Sequence, residues 1–249
     1  MKALNNAYKY SHFLAIQIEE ALRIHSCLIK KYIIAGCILI GLFFLISILV
    51  SPKIDPFHLR QLVQEYDLKA FDVITKSRQV WFDGPMVLLT QYGREVIWPV
   101  VILLIAIFGG WEGRKTALVI VIAILVLIPL SIISKDLVAR TRPEISLNMQ
   151  LSLHAELDRS YPSGHSIIVA AGAAIMLALF RTNKRIIVSI AMTIEAALVC
   201  ISRVYVGQHF PLDVTGGILL GVGVSFILVS VSDRIETIIP AAWRPKDHK

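Results

Sequence analysis

The stretch that decides the fold is Thr116–Ser134, TALVIVIAILVLIPLSIIS, which contains no charged residue. A helix rises about 1.5 Å per residue, so this run is long enough to cross the roughly 30 Å hydrocarbon core of a bilayer. Two further uncharged runs of similar length lie at Tyr32–Val50 and Val214–Ser232. Runs of this length are typical of transmembrane helices, whose backbone hydrogen bonds are all closed within the helix.

The composition of the whole chain agrees with a membrane protein. Of its 249 residues 56% are apolar and 17% are charged, whereas soluble domains carry about 25% charged residues. Mean hydropathy is +0.69, which argues against a soluble globule and against disorder. Three shorter apolar runs complete a predicted bundle of six transmembrane helices: Val96–Trp111, Ser166–Phe180 and Ile186–Ser202.

The predicted fold is therefore all-α, with one polytopic membrane domain over residues 32–232. Residues 1–31 are expected to form an amphipathic segment at the membrane interface, and residues 233–249 a cytoplasmic tail. We expect the first apolar run to remain as an uncleaved signal anchor. Between the first two runs, Leu59, Leu62, Val63 and Tyr66 recur at helical spacing, and no catalytic cluster is expected there.

The net charge of +7 comes largely from short Lys and Arg clusters between the apolar runs. Such clusters mark cytoplasmic loops, and they predict a multi-pass membrane protein with both termini in the cytoplasm. The expected membrane is a bacterial inner or plasma membrane. The clusters do not predict nucleic-acid binding, which needs a basic face on a soluble fold. Cys27, Cys37 and Cys200 form no CxxC pair, so neither a disulfide framework nor a thiolate zinc site is expected.

Three polar clusters lie at the ends of predicted spans. Residues 135–143 follow the third span, residues 162–165 open the fourth, and residues 202–213 join the fifth to the sixth. With six spans all three clusters meet one membrane face, which the charge clusters predict to be the extracytoplasmic face.

The clusters contain the groups that bind a phosphate dianion. Arginine forks match phosphate oxygens, lysine adds a compact charge, and a helix N-terminus offers backbone N–H groups with a partial positive charge. The predicted phosphate-binding residues are Lys135, Arg142, Ser163, Gly164 and Arg203.

Two histidines suit phosphoryl transfer, which needs a nucleophile in line with the leaving oxygen and an acid to protonate that oxygen. His209 and Asp213 are four residues apart, so the carboxylate can orient the imidazole. We therefore predict His209 as the nucleophile that forms a phosphohistidine, Asp213 as its partner and His165 as the acid. The alternative is a metal held by His165, His209 and Asp213. A dication among Lys135, Arg142 and Arg203 is unfavourable, so no metal and no cofactor are expected.

Taken together, Lys135-x6-Arg142-Pro143, Pro162-Ser163-Gly164-His165 and Ser202-Arg203-x5-His209-x3-Asp213 resemble the three-part signature of the type 2 phosphatidic acid phosphatase superfamily. All motif positions match in order. The resemblance implies the same roles: His209 as nucleophile, Asp213 as its partner, His165 as acid and the remaining polar residues around the phosphate.

The expected activity is removal of a terminal phosphate from a membrane lipid, without metal. Phosphatidic acid, phosphatidylglycerol phosphate, undecaprenyl diphosphate and lipid A would all present the same dianion. Alternatives are a lipid phosphotransferase with the same intermediate, a vanadate haloperoxidase, and a non-catalytic phospholipid-binding or transport protein. Ile145, Leu147, Leu151 and Leu153 are expected to rim the entrance for the lipid.

Other residues have simpler expected roles. Arg140 and Arg159 are expected to be solvated loop charges, with binding of a second phosphate or of the headgroup as the alternative. Glu195 is expected to make a structural hydrogen bond inside the bundle, with a role as proton or hydrogen-bond partner below the site as the alternative. Gly217 and Gly221 form a G-x-x-x-G pair, which we expect to pack against a neighbouring helix.

Overall fold

Helices make up most of the described chain. The computed structural model describes residues 2–54, 59–143, 158–235 and 237. A π-helical turn covers Gly93–Ile97. The helices in chain order are α1 (Lys2–Val50), α2 (Leu59–Lys76), α3 (Val80–Tyr92), α4 (Trp98–Phe108), α5 (Gly110–Val138), α6 (Gly164–Leu179), α7 (Arg185–Tyr205), α8 (Pro211–Ser230) and α9 (Ser232–Ile235).

Within the described residues, five helical segments are long and apolar enough to cross a membrane: Ser26–Val50, Val80–Phe108, Gly110–Val138, Arg185–Tyr205 and Pro211–Ser230. The all-α membrane fold is thereby confirmed. Helix α6 is apolar but has only 16 residues, or about 24 Å of length. The count of six spans stays a prediction, and α6 is the helix on which it depends.

The second predicted span, drawn from the apolar run Val96–Trp111 and extended across its polar flanks, is a longer segment in the structure and ends before Trp111. The helical segment begins at Val80 and ends at Phe108, because Arg94 and Glu95 interrupt the apolar run without interrupting the helix. The chain then turns at Gly110, whose φ of 64° lies in the left-handed region that glycine adopts at little cost. Trp111 therefore belongs to the next helix.

Helix α1 runs from Lys2 to Val50 without a break, so the predicted boundary after residue 31 is not visible as an end of a helix. The interfacial position of residues 1–31 and the domain limits stay predictions. Of the predicted tail, residues 233–235 and 237 are described, and the rest lies outside the described residues.

Helix α6 lies at the centre of the bundle and packs against α5, α7 and α8. Small residues permit this packing. A Cβ on Gly217 would lie 2.7 Å from the Ser163 carbonyl oxygen, and one on Gly221 would lie 2.3 Å from the Ile167 carbonyl oxygen. The prediction that Gly217 and Gly221 pack against a neighbouring helix is confirmed. The contact brings the start of α8 against the start of α6.

Helix α2 confirms the helical periodicity between the first two spans. Leu62 and Tyr66 are exposed, whereas Asp67, Phe71 and Thr75 are buried. A buried carboxylate needs a partner, and that of Asp67 lies in the polar cluster described next.

Candidate active site

The three polar clusters meet at one end of the bundle. The Ser163 N–H donates to the Asp213 carbonyl at 3.0 Å, which ties the second cluster to the third. Arg142 Nη1 donates to the Gln208 carbonyl at 2.9 Å, which ties the first to the third. Hydrogen bonds between the clusters therefore hold residues that are far apart in sequence in one site.

His209 is 1% exposed and has a different neighbour at each ring nitrogen. Its Nδ1 lies 3.5 Å from Asp213 Oδ2 and 3.5 Å from Ser160 Oγ. Its Nε2 lies 3.2 Å from Arg142 Nη1. The carboxylate therefore faces Nδ1, and Nε2 is directed towards the cations, where a bound phosphate would lie.

Asp213 is completely buried and its two oxygens are held from three sides. Oδ2 accepts hydrogen bonds from the Phe210 N–H at 2.9 Å and from the Ser160 hydroxyl. Oδ1 accepts from Arg140 Nη1 at 2.8 Å. Such a carboxylate has little freedom to rotate, so its orientation towards His209 is fixed.

The prediction that Arg140 is a solvated loop charge was wrong. Its side chain is 6% exposed and bridges two carboxylates, Asp213 and Asp67. Arg140 Nη2 donates to Asp67 Oδ2 at 2.6 Å, and the guanidinium lies 4.3 Å from the centre of the Phe210 ring. The Leu212 N–H also donates to Asp67 Oδ1 at 3.0 Å. Helix α2 thus supplies a residue to the site, contrary to expectation.

Lys135 and Arg142 both contact Asp158 in this structure. Lys135 Nζ binds one carboxylate oxygen and Arg142 Nη2 binds the other. Burial tends to raise the pKa of Asp158, but the hydrogen bonds and charges of the two cations prevail and hold this pKa below its usual value. The Asp158 carboxylate therefore stays ionised. It pairs with Lys135 and Arg142, two of the residues predicted to bind phosphate.

Ser163 and Gly164 form the N-terminus of α6, as the motif predicts. Ser163 is the N-cap residue, and its side chain makes no capping hydrogen bond. Its Oγ accepts a hydrogen bond from Ser166 Oγ at 3.1 Å instead. The first backbone N–H groups of a helix need a partner from outside the helix. A phosphate oxygen is a suitable one.

His165 lies one residue further along α6 and is 7% exposed. Its Nε2 is 4.0 Å from Glu95 Oε1. Arg203, Arg94, His209 and Lys135 are close enough for their charges to act on the imidazole. The structure therefore brings His165 to the same cluster as His209.

Arg203 is almost fully buried, and its Nη1 donates to Thr90 Oγ1 at 2.9 Å. This contact anchors the third cationic residue of the cluster against α3. The expected structural role of Glu195 is also confirmed, because its Oε2 accepts a hydrogen bond from Trp98 Nε1 at 2.9 Å.

A cleft of about 710 Å³ opens beside the site and is lined by Lys135, Arg142, Asp158, Arg159 and their neighbours. Arg159 is exposed there, as expected of a solvated loop charge. The predicted rim residues Ile145, Leu147, Leu151 and Leu153 lie outside the described residues.

Sequence reasoning missed residues on both sides of the site. Ser160 and Asp158 lie just before the second motif and carry no signal of their own. Arg94 and Glu95 did carry one, because ionisable residues within an apolar helix mark functional sites by default. Asp67 carried no such signal, because a single acidic residue on a helix of mixed charge is typical of a solvent-exposed position.

Known proteins match both the sequence and the structure. Residues 114–236 match the model of the PAP2 superfamily. An undecaprenyl-diphosphatase of Sulfolobus acidocaldarius is 38% identical over 182 residues, which are 71% of this chain and 85% of that protein. Phosphatidylglycerophosphatase B of Bacillus subtilis is 30% identical over 189 residues, 70% of this chain and 87% of that protein.

A solved structure agrees with these relatives. The crystal structure of a transmembrane PAP2-type phosphatidylglycerolphosphate phosphatase from Bacillus subtilis superposes with a TM-score of 0.60 and 26% identity. The match covers 83% of this chain and 98% of that one. The apolar helices, the converging motifs and these matches lead to one assignment: the chain belongs to the PAP2 superfamily, among its integral-membrane lipid phosphatases.

Proposed function

We propose that the protein hydrolyses the terminal phosphate of a membrane lipid through a phosphohistidine on His209, without a metal ion. The observation that carries the proposal is the orientation of His209. Its Nδ1 faces Asp213 and Ser160, and its Nε2 faces Arg142. A nucleophile needs its reactive atom directed at the phosphorus and its other nitrogen held by a base.

In the first step His209 Nε2 attacks the terminal phosphorus and the bond from phosphorus to the leaving oxygen breaks. His165 gives its proton to that oxygen, and the Asp213 carboxylate stabilises the positive charge that develops on His209. Lys135, Arg142, Arg203 and the N-terminus of α6 stabilise the charge on the phosphoryl oxygens.

In the second step His165 takes a proton from water, whose oxygen attacks the phosphorus as the phosphorus–nitrogen bond breaks. Inorganic phosphate leaves and His209 is restored. The same residue serves as acid and then as base, because the second step reverses the proton transfer of the first.

The donor set supports a reaction without a metal. The Nε2 atom of His209 faces a guanidinium nitrogen at 3.2 Å, and a dication at that nitrogen would be repelled by the fixed charge of Arg142. The Nδ1 atom is already turned towards the buried Asp213 and Ser160. In the described site the cations therefore do the electrostatic work that a metal does in other phosphatases.

The position of the site in the bundle and the names of the relatives support a lipid substrate. The site lies at the ends of membrane helices, so a headgroup can enter while the tails stay in the bilayer. The relatives named above are a polyprenyl diphosphatase and a phosphatidylglycerophosphatase. The termini are proposed to be cytoplasmic and the site extracytoplasmic.

The test is phosphate release by the full-length protein in detergent, with EDTA, from phosphatidic acid, phosphatidylglycerol phosphate, undecaprenyl diphosphate and lipid A. We expect release from at least one lipid, and its loss in His209→Ala. Thr215→Ala is the matched control, because Thr215 lies in the first turns of α8, close to His209 in sequence, and is exposed. Activity that survives His209→Ala, or that EDTA removes and a metal restores, would contradict the mechanism.

A second measurement separates hydrolysis from transfer. Lipid labelled in its terminal phosphate should give labelled enzyme that is stable in base and labile in acid, as expected of a phosphohistidine. Water should discharge this label as inorganic phosphate. A label that persists until an acceptor lipid is added would identify a phosphotransferase instead.

A further inference from the structure

Two adjacent charges lie in the middle of an apolar helical segment and have no place in the mechanism above. Arg94 and Glu95 belong to the segment Val80–Phe108, which is otherwise long and apolar enough to cross a membrane. Burying charge at such depth is costly and is retained where the charge has a function. These two side chains nevertheless remain partly accessible, at 29% and 54% exposure.

The backbone places this pair against the second motif. Arg94 and Glu95 lie in the π-helical turn Gly93–Ile97, a feature that often marks functional sites. A Cβ on Gly93 would lie 2.3 Å from Val199 Cγ2. Glycine at this position therefore lets the turn approach α7 closely, and the two charges that follow it reach the start of α6.

Glu95 fixes the direction of the Arg94 side chain. Arg94 Nε donates to Glu95 Oε1 at 2.9 Å, and Nη2 contacts the same oxygen. The remaining nitrogen, Nη1, lies 3.6 Å from the position that a Cβ on Gly164 would occupy. One nitrogen of the fork is thus directed at the helix N-terminus that is proposed to bind phosphate.

The pair lies on the side of the leaving group. In an in-line transfer from His209 the leaving oxygen departs towards the acid, His165. Glu95 Oε1 is 4.0 Å from His165 Nε2, so the group attached to the leaving oxygen passes beside Glu95 and Arg94. In phosphatidic acid or a prenyl monophosphate that group is an uncharged alcohol. In a lipid diphosphate it is a second phosphate.

We propose that Arg94 binds the inner phosphate of a lipid diphosphate and selects diphosphates over monophosphates. The proposal rests on the function proposed above and names its substrate class. When the bond between the terminal phosphorus and the bridging oxygen breaks, the negative charge moves onto the inner phosphate, and Arg94 stabilises it by a charge-assisted hydrogen bond. Glu95 acts by positioning Arg94.

The test compares farnesyl diphosphate and farnesyl phosphate, which share one apolar chain, as substrates of the full-length protein. In Arg94→Gln we expect the ratio of kcat/KM for the diphosphate to that for the monophosphate to fall about 10- to 100-fold, the range for losing a hydrogen bond to a charged group. Arg94→Lys keeps the charge without the fork and should show a smaller fall.

Arg185→Gln is the matched control, since Arg185 pairs with Glu112 at 2.8 Å with similar exposure and lies at the beginning of α7, away from the motifs. Its ratio should equal that of the wild type. Inhibition of monophosphate hydrolysis by methylenediphosphonate provides a second readout, which should weaken in Arg94→Gln and Arg94→Lys but not in the control.

Two results would overturn the proposal: a ratio in Arg94→Gln that is unchanged, whether or not activity on both substrates falls equally, or a wild type that hydrolyses only the monophosphate. If Arg94→Gln fails to fold, an unchanged ratio in Arg94→Lys overturns it as well. Failure of the underlying mechanism gives a different result, because His209→Ala would then keep its activity on both substrates.

Discussion

The two histidines of the site differ in the carboxylates beside them. The side chain of Asp213, beside His209, is 0% exposed and is held by Arg140, Ser160 and a backbone N–H. The side chain of Glu95, beside His165, is 54% exposed and pairs with Arg94, which is 29% exposed. One half of the site is fixed, and the other is open.

The difference corresponds to the roles proposed for the two histidines, His209 as nucleophile and His165 as acid. A nucleophile must meet the phosphorus along a defined direction, and rigid partners secure that direction. A general acid must protonate leaving groups of different size, and solvent-exposed neighbouring side chains leave room for these groups. Stability and catalysis should therefore respond differently to changes in the two halves.

The largest expected effect is on catalysis in the fixed half. Asp213→Asn keeps the size of the side chain but removes the charge that stabilises the His209 imidazolium. We expect kcat to fall at least about a thousandfold, as for the carboxylate of other nucleophile–histidine–acid systems. Steady-state kinetics check this, with Asp72→Asn on α2, where Asp72 pairs with an exposed lysine, as the control. A fall of less than tenfold would contradict the assigned role.

The next effect is on stability. Arg140→Met leaves Asp67 and Asp213 buried without their shared cation, and breaking a buried ion pair in this way costs about 3–5 kcal/mol. Unfolding in detergent should show this loss. In the Arg140→Met background, Asp67→Asn should have a much smaller effect than in the wild type, because its partner is already gone. Additive effects would mean that Asp67 and Arg140 act separately.

A smaller effect is expected at Asp158, which lies between Lys135 and Arg142. Substrate phosphate has to displace this carboxylate, so Asp158→Asn should lower KM about two- to fivefold, the range for a partly exposed ion pair. An inhibition constant for vanadate should fall in parallel. Tighter binding in the variant supports competition, whereas weaker binding would make Asp158 a substrate-positioning residue instead.

The competition between the Asp158 carboxylate and the substrate phosphate should persist in mild acid. The pKa of Asp158 is held below its usual value by Lys135 and Arg142, so the carboxylate is ionised throughout the neutral range. Its contribution to stability is complete above the pKa of an unfolded aspartate and is lost as the pH falls through the lowered folded value. The difference in KM between wild type and Asp158→Asn should therefore be the same at pH 6 and pH 8.

The smallest effect is on stability in the open half. Glu95→Gln removes one charge from a pair that water already screens, so the free energy of unfolding should change by less than about 1 kcal/mol. Unfolding under the conditions used for Arg140→Met checks this directly. A loss as large as that of Arg140→Met would remove the contrast between the two halves.

The sequence predicted the class of fold and the convergence of the motifs, because long apolar runs and ordered polar clusters follow from local chemistry. It did not predict that Arg140 is buried, since its neighbours in sequence are typical of a loop and its partners are far away. The carboxylate of Asp67 is 73 residues distant from Arg140. Contacts of that range depend on how helices pack, which periodicity does not encode.

The second span was misplaced for a related reason. Arg94 and Glu95 divide its apolar residues, and a search for uncharged runs treats them as the end of the segment. In the folded protein their charges lie beside the N-terminus of α6 and the helix continues past them. The interruption in the pattern was a sign of the site.

The shortness of α6 sets the depth at which the second motif lies in the bundle. Gly164 lies beside Ser131 of α5, seven residues before that helix ends at Val138, so the second motif begins about 10 Å below the end of α5. A phosphate attached directly to apolar tails reaches this depth without drawing its tails out of the bilayer. A phosphate carried on a large sugar would have to bring the sugar down with it. Under the proposed lipid phosphatase activity, this depth favours a phosphate that lies close to the apolar tails.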